Sequence, residues 1–156
     1  MANHYAEASA EAAAIQSMMP SQVQANQTNL TDAFLDWSAV ESGWGGSSMA
    51  TKMNNYFGYG SVTFPTSMTW GAELAYILSA VPSTKNNPNP IGFSYSNFLL
   101  SALISNPNAT PAVLLQAIAN AGYNSVDPNY GTTIANGVDS SIQSMIGCLK
   151  QNYGLH

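Results

Sequence analysis

The chain has 156 residues, which is the size of one domain and enough to bury a hydrophobic core without disulfide bonds. Only 7% of the residues are charged, and three lysines, no arginine and eight acidic residues give a net charge of −5. This balance excludes the basic surface that nucleic acids and anionic membranes attract, so neither is expected as a partner.

Other classes of site also lack support in the sequence. The two histidines, His4 and His156, lie at opposite ends of the chain, and no carboxylate pair has ligand spacing, so no metal or other cofactor is expected. No stretch reaches membrane-spanning length, and the N-terminus lacks the basic and apolar regions of a Sec signal. Cys148 lies in a helical pattern with Ile142 and Met145, which predicts a small buried side chain instead of a nucleophile.

Helical periodicity dominates the chain and predicts a mainly α fold without an internal repeat or a second domain. Residues 58–66 carry glycine, threonine and proline, which predicts a small irregular or strand-containing lobe. The polar run 21–29 is predicted to be a linker, and the Asn-Pro-rich run 82–90 an exposed loop. The predicted helices lie at about 5–19, 31–42, 48–54, 70–78, 94–105, 111–121 and 132–149.

Local signals predict both ends of the second helix. Asn29 or Thr31 is the expected N-cap residue, since a side-chain oxygen there accepts a bond from a free peptide N–H. Gly43 is expected to end the helix, because glycine tolerates the left-handed conformation common just past a helix end. This placement leaves Glu41 in the last turn, at the lip of a cleft.

Glu41 is the candidate catalytic residue. Phe34, Trp37, Ser38 and Glu41 recur at the spacing that aligns side chains on one helix face, so the carboxyl closes a largely apolar stripe. Partial desolvation disfavours the charged form of a carboxyl and raises its pKa, which lets it carry a proton near neutral pH. A general acid that protonates a glycosidic oxygen needs this property.

Two ordered motifs accompany this residue. Glu-Ser-Gly-Trp-Gly at 41–45 is followed by Asn-Tyr-Phe-Gly at 55–58, and Ala-Gly-Tyr at 121–123 is followed by Asp-Pro-Asn-Tyr at 127–130. Over roughly residues 30–146, this arrangement resembles the glucosaminidase-type peptidoglycan hydrolases, glycoside hydrolase family 73. The resemblance implies one catalytic domain of the α+β lysozyme-like type, in which a helical lobe and a smaller lobe flank a cleft.

The implied activity is hydrolysis of the glycan strand between N-acetylglucosamine and N-acetylmuramic acid. Muramidases and lytic transglycosylases belong to the same fold family, so the bond that is cut stays open. A sugar-binding module without catalysis and a structural component that keeps only the fold are the alternatives outside enzymology.

Glycoside hydrolysis usually needs a second carboxylate. Glu73 is the only acidic residue between Gly60 and Val126, and it falls in the first turn of a predicted helix, where the helix dipole favours a negative charge. Its catalytic and structural interpretations both stay open. The substrate's own acetamido group is an alternative, and Tyr123, which matches the tyrosine after Ala-Gly in the family motif, is then expected to orient that group or the water.

Three residues of the first motif are assigned to substrate binding: Trp44, Asn55 and Tyr56. Aromatic rings can stack on the apolar faces of pyranose rings. Asp127 and the proline after it are predicted to form a turn that starts the last helix, not to supply a catalytic acid.

A wall hydrolase made in the cytoplasm without a Sec signal needs another route to its substrate. Similarity to small glucosaminidase-like effectors implies a toxin delivered by type VI secretion into a target periplasm, and a phage endolysin is the alternative. An antibacterial effector further implies a cognate immunity protein that blocks the cleft near Glu41, with basic side chains facing the acidic surface.

Overall fold

The computed structural model describes residues 2–18, 27–82, 92–124 and 127–153. Within these ranges the chain is mainly helical and contains no strand, which confirms the predicted fold class. Residues 54–69 form the irregular part, and the strand considered for this lobe is not confirmed. The helices are α1 (Ala2–Ser17), α2 (Gln27–Ser42), α3 (Ser48–Met53), α4 (Trp70–Ser79), α5 (Tyr95–Ser105), α6 (Pro111–Ile118) and α7 (Tyr130–Tyr153).

Helix α2 lies at the centre of the fold, in contact with α1, α6 and α7. Every residue from Leu30 to Ala39 is buried, so the helix is enclosed all round and not only along one apolar face. Two of its buried polar residues bond to neighbouring helices: Asp32 accepts from the Gln143 amide at 2.7 Å, and Ser38 accepts from the Trp70 indole N–H at 2.7 Å.

The start of α2 differs from the prediction. The helix begins at Gln27, and both candidate caps lie inside it: the Asn29 amide donates to the Ala109 carbonyl, and the Thr31 hydroxyl donates back to the Gln27 carbonyl. The predicted cap was wrong because the Asn29 side chain bonds to a segment 80 residues away instead of to its own helix.

The end of α2 agrees with the prediction. Gly43 adopts φ +55° directly after the helix, and Trp44 follows with φ +58°. The Trp44 peptide N–H donates to the Ala39 carbonyl at 2.8 Å, which satisfies one of the free carbonyls of the last turn. The chain therefore turns sharply just beyond Glu41.

Other predictions from the sequence have mixed outcomes. The first helix runs Ala2–Ser17 instead of 5–19, and the last begins at Tyr130, two residues earlier than expected. Cys148 is exposed, so the expectation that it is buried was wrong. Residues 21–26 of the predicted linker and 83–90 of the predicted loop lie outside the described residues.

Helices α6 and α7 approach each other closely at Gly131. A Cβ atom added there would lie 2.6 Å from the Gln116 peptide nitrogen and closer still to the Ala112 carbonyl oxygen, so it would overlap the backbone of α6. The Gly131 peptide N–H donates to the Gln116 side chain at 2.9 Å. Because Tyr130 precedes Gly131, this contact also sets where the Tyr130 side chain enters the fold.

We therefore predict that Gly131→Ala lowers the free energy of unfolding by about 1–3 kcal/mol or more, since backbone atoms of α6 have to move. Gly137→Ala on the same helix is the matched control, because a Cβ atom added at Gly137 would meet nothing within 4 Å. That control is expected to gain about 0.5–1 kcal/mol, the usual helix-interior advantage of alanine. Urea unfolding measures both, and equal stability of the two variants would contradict the close approach.

Candidate active site

Glu41 lies in the last turn of α2 with its side chain partly exposed. Its Oε1 atom accepts a hydrogen bond from the Tyr130 hydroxyl at 2.5 Å, across 89 residues of sequence. Tyr130 is the first residue of α7, so the packing of α7 on α2 delivers this donor to the carboxylate.

The loop 55–58 borders the other side of the carboxylate. Gly58 has φ +64°, and a Cβ atom on it would lie 2.7 Å from Glu41 Oε2 and 3.1 Å from the Tyr123 hydroxyl oxygen. The backbone of this loop therefore stands directly against both predicted catalytic groups. Only glycine combines this left-handed conformation with so close an approach at low cost.

Tyr123 reaches this position through an irregular end of α6. Residues Ala119–Tyr123 form a π-helical turn, inside which Gly122 has φ +135°. The Tyr123 ring contacts the Trp37 ring edge-on at a centroid distance of 4.8 Å, and its hydroxyl donates to the Phe57 carbonyl. The structure thus brings Glu41 and Tyr123 together, as the two sequence motifs predicted, with the tyrosine bonded to the loop backbone.

Burial raises the pKa of Glu41, in the direction predicted from its apolar surroundings. The Tyr130 hydroxyl opposes this change in part, because a donor to the carboxylate favours its charged form. Burial and the nearby Glu41 charge also raise the pKa of Tyr123 and Tyr130, which keeps them protonated and able to donate. The site holds a carboxyl that keeps its proton to a higher pH than a solvated glutamate does.

Glu73 does not face the same space. It lies in the first turn of α4, as predicted, but its side chain is fully buried. Its Oε1 atom accepts the peptide N–H groups of Tyr56 at 2.8 Å and of Phe57 at 3.1 Å. A second catalytic carboxylate needs access to substrate, and the structure gives Glu73 none.

Asn55 is also buried, contrary to its predicted contact with substrate. Its amide oxygen accepts from the Tyr59 N–H at 2.9 Å, and its amide nitrogen donates to the Val62 carbonyl at 3.0 Å. Both ends of the side chain thus hold the loop 55–62 in shape. The sequence predicted that the third helix ends at about residue 54, which agrees with the position of Asn55 in the loop, but the burial of Asn55 could not be predicted.

Trp44 and Tyr56 are accessible and line one cavity of about 130 Å³, together with Trp70 and His4. Trp44 is 50% exposed, and it also borders an open hollow beside Ser140 and the following residues of α7. Glu41 lines neither of these two concave surfaces. The predicted binding aromatics therefore line surfaces to which Glu41 does not contribute.

Two residues that matter to this site were given no role from the sequence. Tyr130 and Gly58 are both part of the quoted motifs, but local patterns do not show that they contact Glu41, because the three residues are far apart in the chain. Asp127, in contrast, behaves as predicted: its carboxylate accepts from the Asn129 N–H at 2.9 Å in a turn that leads into α7.

No group of three histidine, cysteine or acidic side chains in the described part of the chain is arranged to hold a metal ion. None of the described helices combines the length and the apolar character needed to cross a membrane. Comparison with known proteins gives no match to a protein family, to a curated protein or to a solved structure. The geometry of the site and the sequence motifs are therefore what a functional proposal rests on.

Gly58→Ala tests the close approach of the loop to the acid. We expect it to displace the Glu41 carboxylate and the Tyr123 hydroxyl, and to change the pKa of Glu41 in a ¹³C NMR titration. Gly60→Ala is the matched control, since Gly60 has a similar φ of +56° but a Cβ atom added there would meet nothing within 4 Å. Both variants carry the left-handed strain of about 1–2 kcal/mol, so only the carboxylate contact differs between them. Identical Glu41 titrations in the two variants would contradict the contact.

Tyr130→Phe is expected to raise the pKa of Glu41 further, because it removes a donor that favours the carboxylate while the ring keeps the site buried. The same NMR titration measures the change. Tyr76→Phe serves as the control, as its exposed ring contacts Tyr59 and Phe64. An unchanged or lowered pKa in Tyr130→Phe would show that this hydroxyl does not stabilise the charged form.

Proposed function

We propose that this protein is a glycoside hydrolase that cleaves the glycan strands of peptidoglycan, with Glu41 as the general acid. The observation that carries the proposal is the environment of this one carboxyl. It is partly buried at the end of α2, its pKa is raised by burial, and the Tyr130 hydroxyl holds its Oε1 atom in place. A positioned carboxyl whose pKa is raised keeps its proton to a higher pH and can donate it to a leaving-group oxygen.

Accessible aromatic side chains support a carbohydrate substrate. Trp44 and Tyr56 present accessible aromatic surface in a neighbouring cavity, and aromatic faces pack well on sugar rings. With only 7% charged residues, the chain relies on neutral polar groups, which suit sugar hydroxyls and amides. The motif resemblance described above narrows this class to the wall polymer of N-acetylglucosamine and N-acetylmuramic acid.

The proposed mechanism uses the substrate in place of a second carboxylate. The other glutamate beside the loop 55–58, Glu73, is fully buried and bonded to the loop backbone. The 2-acetamido group of the sugar can instead stabilise the oxocarbenium-like centre after Glu41 has protonated the glycosidic oxygen. Water then completes the hydrolysis and returns a proton to the Glu41 carboxylate.

Glu41→Gln is expected to reduce hydrolysis of purified peptidoglycan by about a hundredfold or more, since the amide fits the same space but delivers no proton. Wild-type activity should fall as the pH rises through the pKa of Glu41, because the protonated form is the active one. Glu11→Gln is the matched control, as Glu11 is another partly buried glutamate whose pKa burial raises, on α1.

Mass spectrometry of the released sugar fragments measures the loss of hydrolysis in Glu41→Gln and also identifies which glycosidic bond is cut. A reducing N-acetylglucosamine end indicates a glucosaminidase, a reducing N-acetylmuramic acid end a muramidase, and an anhydro end a transglycosylase. Full activity of a folded Glu41→Gln protein would remove Glu41 from the mechanism. Binding of wild-type protein to peptidoglycan without turnover would favour a sugar-binding module, which the buried position of Glu73 keeps open.

We further propose that the enzyme acts in the periplasm of a target bacterium as an antibacterial effector. Its acidic net charge of −5 suits a partner that covers the Glu41 side of the molecule with basic side chains. This setting, and the choice between an effector and a phage endolysin, stay predictions of the motif resemblance.

A further inference from the structure

We propose that Glu73 is a positioning residue for Glu41, which acts through the loop 55–58 and never touches substrate. This proposal rests on the function proposed above, in which Glu41 is the acid. It assigns to Glu73 a role that differs from the second catalytic carboxylate for which the sequence made it a candidate.

Glu73 bonds directly to the backbone of the loop. One carboxylate oxygen, Oε1, accepts two successive peptide N–H groups, those of Tyr56 and Phe57. Oxygen Oε2 is buried and has no hydrogen-bond partner among the described residues. The side chain thus holds the loop through one atom, and burial raises its pKa to about 7 against the opposing effect of the two N–H donors.

The same loop segment also adjoins Tyr123 and Glu41. The Phe57 carbonyl accepts from the Tyr123 hydroxyl, and the next residue, Gly58, contacts the Glu41 carboxylate. The N–H of Phe57 is therefore bonded to Glu73, and the carbonyl of the same residue is bonded to Tyr123. A change in the position of the Glu73 oxygen is transmitted over one or two residues to both catalytic groups.

Other contacts anchor the Phe57 side chain and the far end of the loop. The Phe57 ring packs against Trp37 and Trp70, with centroid distances of 5.1 and 4.9 Å, so these contacts anchor the side chain and not the peptide N–H groups. Asn55 bonds to the chain at Tyr59 and beyond, on the far side of Gly58. The Glu73 carboxyl is thus the group that orients the Tyr56 and Phe57 peptides.

Three substitutions separate positioning from proton transfer. Glu73→Gln keeps an acceptor oxygen in the same place but cannot ionise. Glu73→Asp keeps the charge but draws the oxygen back by about 1.5 Å, the length of one carbon–carbon bond. Glu73→Leu fills a similar volume and leaves two peptide N–H groups unpaired. Glu7→Leu is the control, because Glu7 also accepts a backbone N–H, and its donor is Gly71 of α4 instead of a residue of the loop.

The decisive readout is the pKa of Glu41, measured by ¹³C NMR in folded protein, since it needs no activity. We expect Glu73→Gln and Glu7→Leu to leave this pKa within about 0.2 of wild type, and Glu73→Asp and Glu73→Leu to change it by about 0.5 or more. On peptidoglycan, we expect Glu73→Gln to keep wild-type kcat within about threefold, and Glu73→Asp to lower kcat about tenfold or more with little change in KM. If Glu73→Leu does not fold, Glu73→Asp carries the same comparison.

Two results would overturn the proposal. A Glu41 pKa that is the same in wild type, Glu73→Asp and any folded Glu73→Leu would show that the loop does not transmit the change. A Glu73→Gln protein as inactive as Glu41→Gln, with its Glu41 pKa unchanged, would make Glu73 a proton donor or nucleophile instead. Wild-type protein without any activity would defeat the proposed function, whereas the titrations would still decide whether Glu73 positions Glu41.

Discussion

The site depends on one steric constraint, the contact of the Gly58 backbone with the carboxylate of Glu41. The carboxylate ends the buried central helix α2, and the loop can reach it only where the chain has no side chain and adopts φ +64°. Once the loop is in this place, the Phe57 carbonyl meets the Tyr123 hydroxyl. Helix α7 packs closely on α6 at Gly131, and its first residue, Tyr130, donates a hydrogen bond to Glu41.

The chemistry of Glu41 follows from a balance between burial and hydrogen bonding. Burial disfavours the charged form of Glu41, and the hydrogen bond from the Tyr130 hydroxyl favours it, with burial the larger effect. The same balance at Glu73 gives a carboxyl whose pKa is about 7, bonded to peptide N–H groups instead of side-chain hydroxyls. Two glutamates with raised pKa values therefore adjoin one loop, and they differ in access to solvent, since Glu41 is partly exposed and Glu73 is buried.

The aromatic residues divide between core and surface in a way that their spacing does not reveal. Trp37 and Phe57 are fully buried and pack edge-on, so they fix the end of α2 and the loop relative to each other. Trp44 is half exposed, because two successive left-handed residues turn the chain outward after α2. Rigid aromatic packing beneath the site thus coexists with accessible aromatic surface beside it.

The helical class, the end of α2 at Gly43 and the candidate acid could all be predicted from the sequence, because helix periodicity and left-handed glycine are local properties. Tyr123 was also a candidate site residue from the sequence, because of the motif in which it lies and not because of any predicted contact. Only the packed structure shows that Asn55 and Glu73 are buried and bonded to the backbone of the loop. It also shows the hydrogen bond from Tyr130 to Glu41. These bonds join segments that are tens of residues apart in the chain, so local sequence patterns do not reveal them. A polar side chain can bond to a loop backbone or to a ligand, and the tertiary packing decides which of the two lies within hydrogen-bond distance.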